Sequence, residues 1–422
     1  MKTYLVGGAI RDELLGLTVK EKDWVITGSS AEEMLALGYR QVGADFPVFL
    51  HPENGDEYAL ARTERKSGQG YHGFSVDFHP RVSLEEDLQR RDLTINAMAR
   101  SSDGELTDPW GGQADLEARI MRHVSPAFAE DPLRVLRVAR FAARFAPQGF
   151  KVAAETMQLM TEMAASGELK ALTPERVFSE FRKAFICESP SVFIQLLRDC
   201  GALEVLLPEV NALFGIPQPE QYHPEIDTGV HTLLAIDRCA LLAGKQQMEG
   251  QQMEGQQRAM LVFVVLLHDL GKALSPKQYL PKHYGHEAKG VPLVLAVCQR
   301  LRVPKAWQQL AILVCHWHLH CHRVQEMRPQ KVLELLEHLD VFRQPSRLPA
   351  FLHACQADAQ GRTGLEENPY PQAEYLSEAY RRVAAVSTKG LADLGDGKEI
   401  AAELRSRRLQ ALADIRDFTP SD

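Results

Sequence analysis

The stretch YLVGGAIRDELLG, Tyr4–Gly16, reads as an apolar strand, a Gly7-Gly8 turn and a short helix stopped by Gly16. Glycines at a strand-to-helix turn let backbone amides approach a phosphate closely, and the helix N-terminus adds partial positive charge. Arg11 sits one turn into that helix, where it can reach the same anion. A Gly-Gly pair before a helix is by itself only a turn signal, so its neighbours decide the reading. They are VKEKDWVITG, Val19–Gly28, in which Glu21 and Asp23 stand two apart at a strand start. Residues two apart in a strand share a face. Two such carboxylates beside a phosphate-binding turn suit Mg²⁺ chemistry on a nucleoside triphosphate, where hard oxygens hold the ion.

Working outward, the head continues with RRDLTINA, Arg90–Ala97, a charged turn that predicts entry into a helix, and with DPWGG, Asp108–Gly112. EDPLRVLRVARFAARF then starts at Glu130. On a helix, Arg134, Arg137, Arg140 and Arg144 fall within about 120° of arc, with most apolar residues opposite. No acid follows Asp131 until Glu155. An acid-free arginine stripe predicts a reader of phosphates or bases.

In this order LVGGxxRDxLLG, the paired acids, RRDLTINA, DPWGG, EDPLR and LTPERV (Leu172–Val177) resemble the bacterial, class II tRNA nucleotidyltransferases, the CCA-adding enzymes. The resemblance implies addition and repair of the 3′-terminal CCA of tRNA from CTP and ATP, without a nucleic-acid template. The tRNA 3′ hydroxyl would attack the α-phosphate and release pyrophosphate. It implies catalytic, Mg²⁺-holding roles for Glu21 and Asp23, and triphosphate and sugar contacts for Gly8, Arg11, Arg91, Arg137 and Arg140. Glu175 and Arg176 would brace the reading helix. C and A both present an exocyclic amine beside a ring-nitrogen acceptor, while G and U present the reverse. Asp131 accepting and Arg134 donating would therefore select C and A. The family usually carries Asp-x-Asp where this chain has Glu21-x-Asp23. The longer side chain should alter metal geometry or rate, because Mg²⁺ demands near-ideal octahedral coordination.

Most of the 15 histidines lie in the second half. His231 stands in HPEIDTGVHTL, His268-Asp269 end the apolar run VFVVLLHDLGK, and Asp358 lies in LHACQADAQGR. This is similar to the pattern of the HD metal-dependent phosphohydrolases. Imidazole and carboxylate together suit a divalent transition metal; nickel is expected. His286 and His318 would be accessory. The tract CHWHLHCH, Cys315–His322, lacks the CxxC spacing of a structural zinc site. It predicts His318 facing the HD pocket and the rest as helix surface. By resemblance this half would carry 2′,3′-cyclic phosphodiesterase, 2′-nucleotidase and phosphatase activities.

Length and composition bound these readings. The chain has 422 residues, enough for two to four domains of roughly 100–200 residues. Hydrophobic residues make up 45% and charged residues 25%, and the net charge is −8. That total excludes a strongly basic binder but not a local basic stripe. The seven scattered cysteines form no CxxC, which argues against a disulfide framework and for a reducing, cytoplasmic setting. No apolar run approaches the ~20 residues of a membrane span, and the N-terminus lacks a signal-peptide pattern. The expected fold is α+β: a nucleotidyltransferase head (1–145) with a small mixed sheet, then an all-α neck and body (146–222). An all-α HD domain (223–342) and a helical tail (343–422) follow. Expected partners are tRNA, CTP and ATP, with no membrane and no DNA. A monomer is expected, with a dimer as the alternative. QQMEGQQMEGQQ, Gln246–Gln257, and the basic stretch Ala61–Gly73 predict surface loops. The rival readings are a bacterial poly(A) polymerase, an HD phosphohydrolase with a degenerate RNA-binding head, and a nucleotide sensor without turnover.

Overall fold

A computed structural model describes residues 1–19, 21–42, 48–66, 74–248, 255–391 and 396–418. Two compact units result: Met1–Phe181 with Val192–Leu206, and Arg182–Ser191 with Leu207–Asp422.

The first unit is built on a seven-stranded sheet of order β3-β4-β5-β2-β1-β8-β9. Its strands are β1 (Lys2–Val6), β2 (Asp23–Thr27), β3 (Arg40–Val42), β4 (Val48–Leu50), β5 (Glu57–Leu60), β8 (Ala99–Ser101) and β9 (Leu106–Thr107). A separate antiparallel pair, β6 (Thr63–Lys66) and β7 (Phe74–Asp77), flanks residues 67–73 of the expected basic loop, which lie outside the described residues. β1 runs antiparallel to β2 and β8, and β2 runs parallel to β5, so the sheet is mixed as expected. Period-two alternation sends Val6 and Val25 to one core with Leu88, Ala97 and Ala99. It sends Ile26, Phe49, Tyr58 and Leu60 to the other with Met34.

The Gly7-Gly8 turn leads from β1 into α1 (Gly8–Leu14). Short helices α2 (Ala31–Ala36) and α3 (Leu84–Gln89) each open on a serine capping box, Ser30/Glu33 and Ser83/Glu86. After Arg91 the pattern predicts a helix, but the chain makes one 3₁₀ turn, Thr94–Asn96, and passes into β8. Burial explains the difference. Ile95, Ala97, Met98 and Ala99 are all fully buried, and Thr94 donates to Asp115 Oδ2 at 2.7 Å. α4 (Gly112–Ala118) and the arginine helix α5 (Leu133–Phe145) follow. Then come α6 (Ala154–Ala165), α7 (Pro174–Ala184), α8 (Pro190–Asp199) and α9 (Ala202–Leu206), in the stretch expected to be helical.

The described part of the second unit is helical apart from turns and one isolated bridge. It holds α10 (Pro208–Asn211), α11 (Thr228–Met248), α12 (Gly255–Leu266), α13 (His286–Arg300), α14 (Lys305–His322), α15 (Pro329–His338), α16 (Arg347–Gln360), α17 (Pro371–Ala384) and α18 (Gly397–Gln410). α11 packs on α12 and α16, and α14 packs on α13 and α16. Residues Leu261–Leu267 are buried all round, which carries the His268-Asp269 doublet into the core. Residues 249–254 of the glutamine-rich repeat lie outside the described residues; its flanks belong to α11 and α12.

Candidate functional site

In the first unit, register brings one of the two predicted carboxylates, Asp23, to the glycine turn. Val6, the last residue before Gly7, pairs with Asp23, and Asp23 pairs with Glu57 of β5. Gly7 has φ +70, and a Cβ there would stand 2.7 Å from Arg91 Nη1, so the arginine lies directly over the turn. Asp23 opens β2, whereas Glu21 lies in the segment before it. The shared-face rule therefore does not fix Glu21; electrostatics couple the pair instead. The Asp23 carboxyl is pushed up, first by partial desolvation. The Arg91 charge pulls it back down, and the Glu21 charge pushes it further up.

The arginine stripe is not free of acids, as its local sequence suggests. Arg137 donates to Asp92 Oδ2 at 2.7 Å, Arg140 to Glu180 Oε2 at 2.6 Å, and Arg144 to Asp12 Oδ2 at 2.7 Å. Arg134 donates to the carbonyls of Ala127 and Arg90 at 2.9 and 2.5 Å. Arg11 is buried, bonding Asp12 Oδ1 through Nε and Nη2 at 2.9 and 2.7 Å, and Asn96 through Nη1. Asn96 donates on to Asp92 at 3.0 Å. The result is a continuous chain, Arg144–Asp12–Arg11–Asn96–Asp92–Arg137, that leaves α5 and returns to it. Burial opposes the Asp92 charge, but Arg137 and Asn96 hold its carboxyl far below the usual range. Asp131 accepts from Arg176 at 2.8 Å and from the Leu133 amide at 3.0 Å, so Arg176 braces the acid expected to read the base.

In the second unit, His231, His268, Asp269, Asp358, His286 and His318 are all buried within one cluster. Asp358 Oδ1 lies 3.0 Å from His231 Nε2 and 3.7 Å from His268 Nε2. Asp269 lies 3.1 Å from His268, 3.2 Å from His286 and 3.6 Å from His318. Close packing makes this possible. A Cβ on Gly271 would collide with the His286 carbonyl and come within 2.7 Å of the Gly290 amide, so α13 rests directly on the HDLGK turn.

Each of three rings places Nδ1 against a backbone carbonyl: His268 with Val265 at 2.7 Å, His286 with His283 at 2.8 Å, and His318 with Val314 at 3.0 Å. Those contacts select the Nδ1–H tautomer and turn the Nε2 lone pairs inward. His268 Nε2, His286 Nε2 and Asp269 Oδ1 are buried without a hydrogen-bond partner. Inward lone pairs of nitrogen and carboxylate oxygen fit a divalent transition metal. Burial opposes the His268 charge, but Asp269 and Asp358 outweigh it and hold the ring up at about 8. Burial likewise opposes the Asp269 and Asp358 charges. His268 with Lys272, and His268 with His322, still keep them well below the usual carboxylate range. His318 is driven well down, chiefly by burial.

Comparison with known proteins agrees with this architecture. Residues 3–122 match the family model for the poly A polymerase head domain, and residues 149–214 match that for a probable RNA and SrmB-binding site of polymerase A. The multifunctional CCA protein of Thioalkalivibrio sulfidiphilus is 57% identical over 417 residues, covering 99% of each chain. That of Pseudomonas aeruginosa strain PAO1 is 57% identical over 418 residues, again covering 99% of each. The chain belongs to the multifunctional CCA protein family. Two solved structures share its fold at 19% identity. A CCA-adding enzyme in an apo form has a TM-score of 0.68, covering 100% of this chain and 89% of that one. The Thermotoga maritima CCA-adding enzyme complexed with tRNA has a TM-score of 0.63, covering 100% and 88%.

Several contributors escape sequence reading. Asp12, Asp92 and Glu180 pair with the arginines of α5 but lie 40 or more positions from them. Glu57 enters only through strand register. Glu225 lies 2.9 Å from His231 Nδ1, although the HPE in which it stands gives a local signal. His322, expected on the helix surface, is mostly buried and bonds Asp358 Oδ2 at 2.7 Å and the Tyr370 hydroxyl at 2.9 Å. Its position four residues after His318, on the same helix face, is the signal that could have placed it. Among the described residues no helix is long and apolar enough to cross a membrane.

Proposed function

We propose that the chain adds and repairs the 3′-terminal CCA of tRNA from CTP and ATP without a template, and that its second unit hydrolyses phosphate esters. The observation that carries the first part is the meeting of the Gly7-Gly8 turn, Arg91 and Asp23 at one sheet end. Backbone amides at Gly8 and the Arg91 guanidinium bind the triphosphate. Glu21 and Asp23 would hold Mg²⁺, whose charge offsets that developing on the α-phosphate as the tRNA 3′ oxygen attacks and pyrophosphate leaves. Asp131, oriented by Arg176, accepts from the exocyclic amine of C or A. Arg134, anchored through carbonyls, presents donors to the ring nitrogen. Arg11, Arg137 and Arg140 would contact the triphosphate and sugar, and their pairings with Asp12, Asp92 and Glu180 hold them in place. Likeness to a protein complexed with tRNA, and to solved CCA-adding enzymes with ATP and with CTP, supports the same substrates.

His231, His268, Asp269 and Asp358, with His286 and His318, would hold a divalent transition metal such as nickel, which supplies Lewis acidity toward a phosphoryl oxygen. Glu225 and the backbone carbonyls fix the ring orientations. The resulting activities are those of a 2′,3′-cyclic phosphodiesterase, 2′-nucleotidase and phosphatase. Damaged ends bearing a cyclic phosphate cannot be extended, and this half would restore the hydroxyl that the head requires. The domain order is head 1–145, neck and body 146–222, HD domain 223–342 and tail 343–422. The test is tRNA lacking its 3′ end, incubated with Mg²⁺ and each nucleoside triphosphate alone and together. Two C followed by one A is expected. Long A tails would instead indicate a poly(A) polymerase, and no incorporation would indicate a hydrolase with an inactive head.

A further inference from the structure

The buried atoms without hydrogen-bond partners around the histidine cluster divide by chemistry. His268 Nε2, His286 Nε2 and Asp269 Oδ1 offer lone pairs and suit a cation, while His231 Nδ1 faces Glu225 at 2.9 Å. Gln218 Nε2 and Arg362 Nε are N–H donors, which no cation satisfies. Both donors belong to the rim of the cluster. Gln218 is 2% exposed, and its Oε1 accepts from Lys272 Nζ at 2.5 Å. Lys272 in turn contacts Asp269 Oδ2 at 2.5 Å. Arg362 stands one helical turn beyond Asp358, with a side chain only 19% exposed. Its Nη2 is 3.6 Å from Asp358 Oδ1, beyond hydrogen-bond range. His223 lies against the same cluster, its ring 4.7 Å from that of His231.

A guanidinium four-fifths buried without a full set of acceptors is costly unless an anion completes it. We infer that Arg362 and Gln218 form the clamp for the phosphoryl oxygens of the ester bound at this cluster. Gln218 is presented by Lys272 and Arg362 by the end of α16. The ligand class is a phosphate monoester or cyclic phosphodiester, with inorganic phosphate as the product form. This rests on the hydrolase reading above. It adds the residues that bind the anion to those that would hold the metal. Arg362 is suited to the task because its planar fork matches two phosphoryl oxygens, whereas a lysine offers a point charge.

The full chain loaded with Mn²⁺ provides the test, as parent, Arg362→Lys, Arg362→Met and Gln218→Leu. Equilibrium dialysis with radiolabelled inorganic phosphate reads binding, elemental analysis reads metal per chain, and adenosine 2′-monophosphate reads turnover. Expected is a loss of phosphate affinity of roughly tenfold or more in each variant, with KM rising by the same factor and metal content unchanged. Arg362→Lys, which keeps the charge, guards against misfolding of the Met variant. Unchanged phosphate affinity, loss of metal with the clamp variants, or no phosphate binding by the metal-loaded parent would overturn the assignment. Arg362-dependent phosphate binding in a parent that hydrolyses no ester would sink the hydrolase reading and leave the clamp standing.

Discussion

Arg144, in the last turn of α5, donates to Asp12 of α1 at 2.7 Å, across 132 positions of sequence. Through Asp12 and Arg11 the contact reaches Asn96, Asp92 and back to Arg137. The helix that would read the base is thereby fixed to the helix that follows the Gly7-Gly8 turn. Asp12→Asn should cost on the order of 3 kcal/mol, because buried Arg11 loses its partner. Arg144→Met should cost under about 1 kcal/mol, because Arg144 is partly exposed. Urea unfolding of both variants checks the order; equal costs would show that Asp12 does not serve mainly to hold Arg11.

Gly7 combines φ +70 with a Cβ position 2.7 Å from Arg91, whereas Gly38 has φ +86 and nothing within 4 Å. Alanine at either position should cost about 1–2 kcal/mol of backbone strain. Only Gly7→Ala should also displace Arg91 and lower the rate of CTP incorporation, by roughly tenfold or more. Comparable incorporation rates in the two variants would remove Arg91 from the triphosphate site.

Asp92 has a carboxyl held far below its unfolded value, mainly by Arg137 and Asn96 against the cost of burial. A depressed folded-state value contributes stability above the unfolded value, near 3.9, and loses it as pH falls toward the folded value. The parent should therefore exceed Asp92→Asn in stability at neutral pH, and the gap should close below about pH 4. Thermal melts of both proteins across that range provide the measurement; a gap independent of pH would assign the loss to packing.

Glu21 reaches one methylene further than the aspartate usual at its position. Glu21→Asp should change the Mg²⁺ concentration needed for half-maximal incorporation, or the rate at saturating Mg²⁺. Mg²⁺ titrations of the two proteins decide this, and superimposable curves would show that coordination tolerates either length.

How much of this was legible in the sequence depended on distance along the chain. Gly7, Asp23 and Arg91 stand in short motifs whose chemistry is local, and the His268-Asp269 doublet ends an apolar helix that leads into the core. The α+β head and helical remainder were readable for the same reason, from period and punctuation. Asp12, Asp92 and Glu180 were not: Asp12 and Asp92 stand within the quoted motifs, but each of the three meets its α5 arginine only after folding. The stripe in α5 looked unpaired for that reason. Glu57 needed the β2–β5 register, and the 3₁₀ turn after Arg91 needed the tertiary burial of Ile95 and Met98 to override a helical pattern.

The two proposed sites would act in sequence on one tRNA end. The direct measurement is a tRNA ending in a 2′,3′-cyclic phosphate before the CCA, given CTP, ATP, Mg²⁺ and Mn²⁺. Parent, Asp23→Asn and Asp358→Asn proteins are compared, with an undamaged 3′-hydroxyl tRNA alongside. The parent should complete CCA on both substrates. Asp23→Asn should free the hydroxyl without adding nucleotides, and Asp358→Asn should extend only the undamaged tRNA. Extension of the cyclic-phosphate end by Asp358→Asn at the parent's rate would show that the histidine cluster does not restore the hydroxyl.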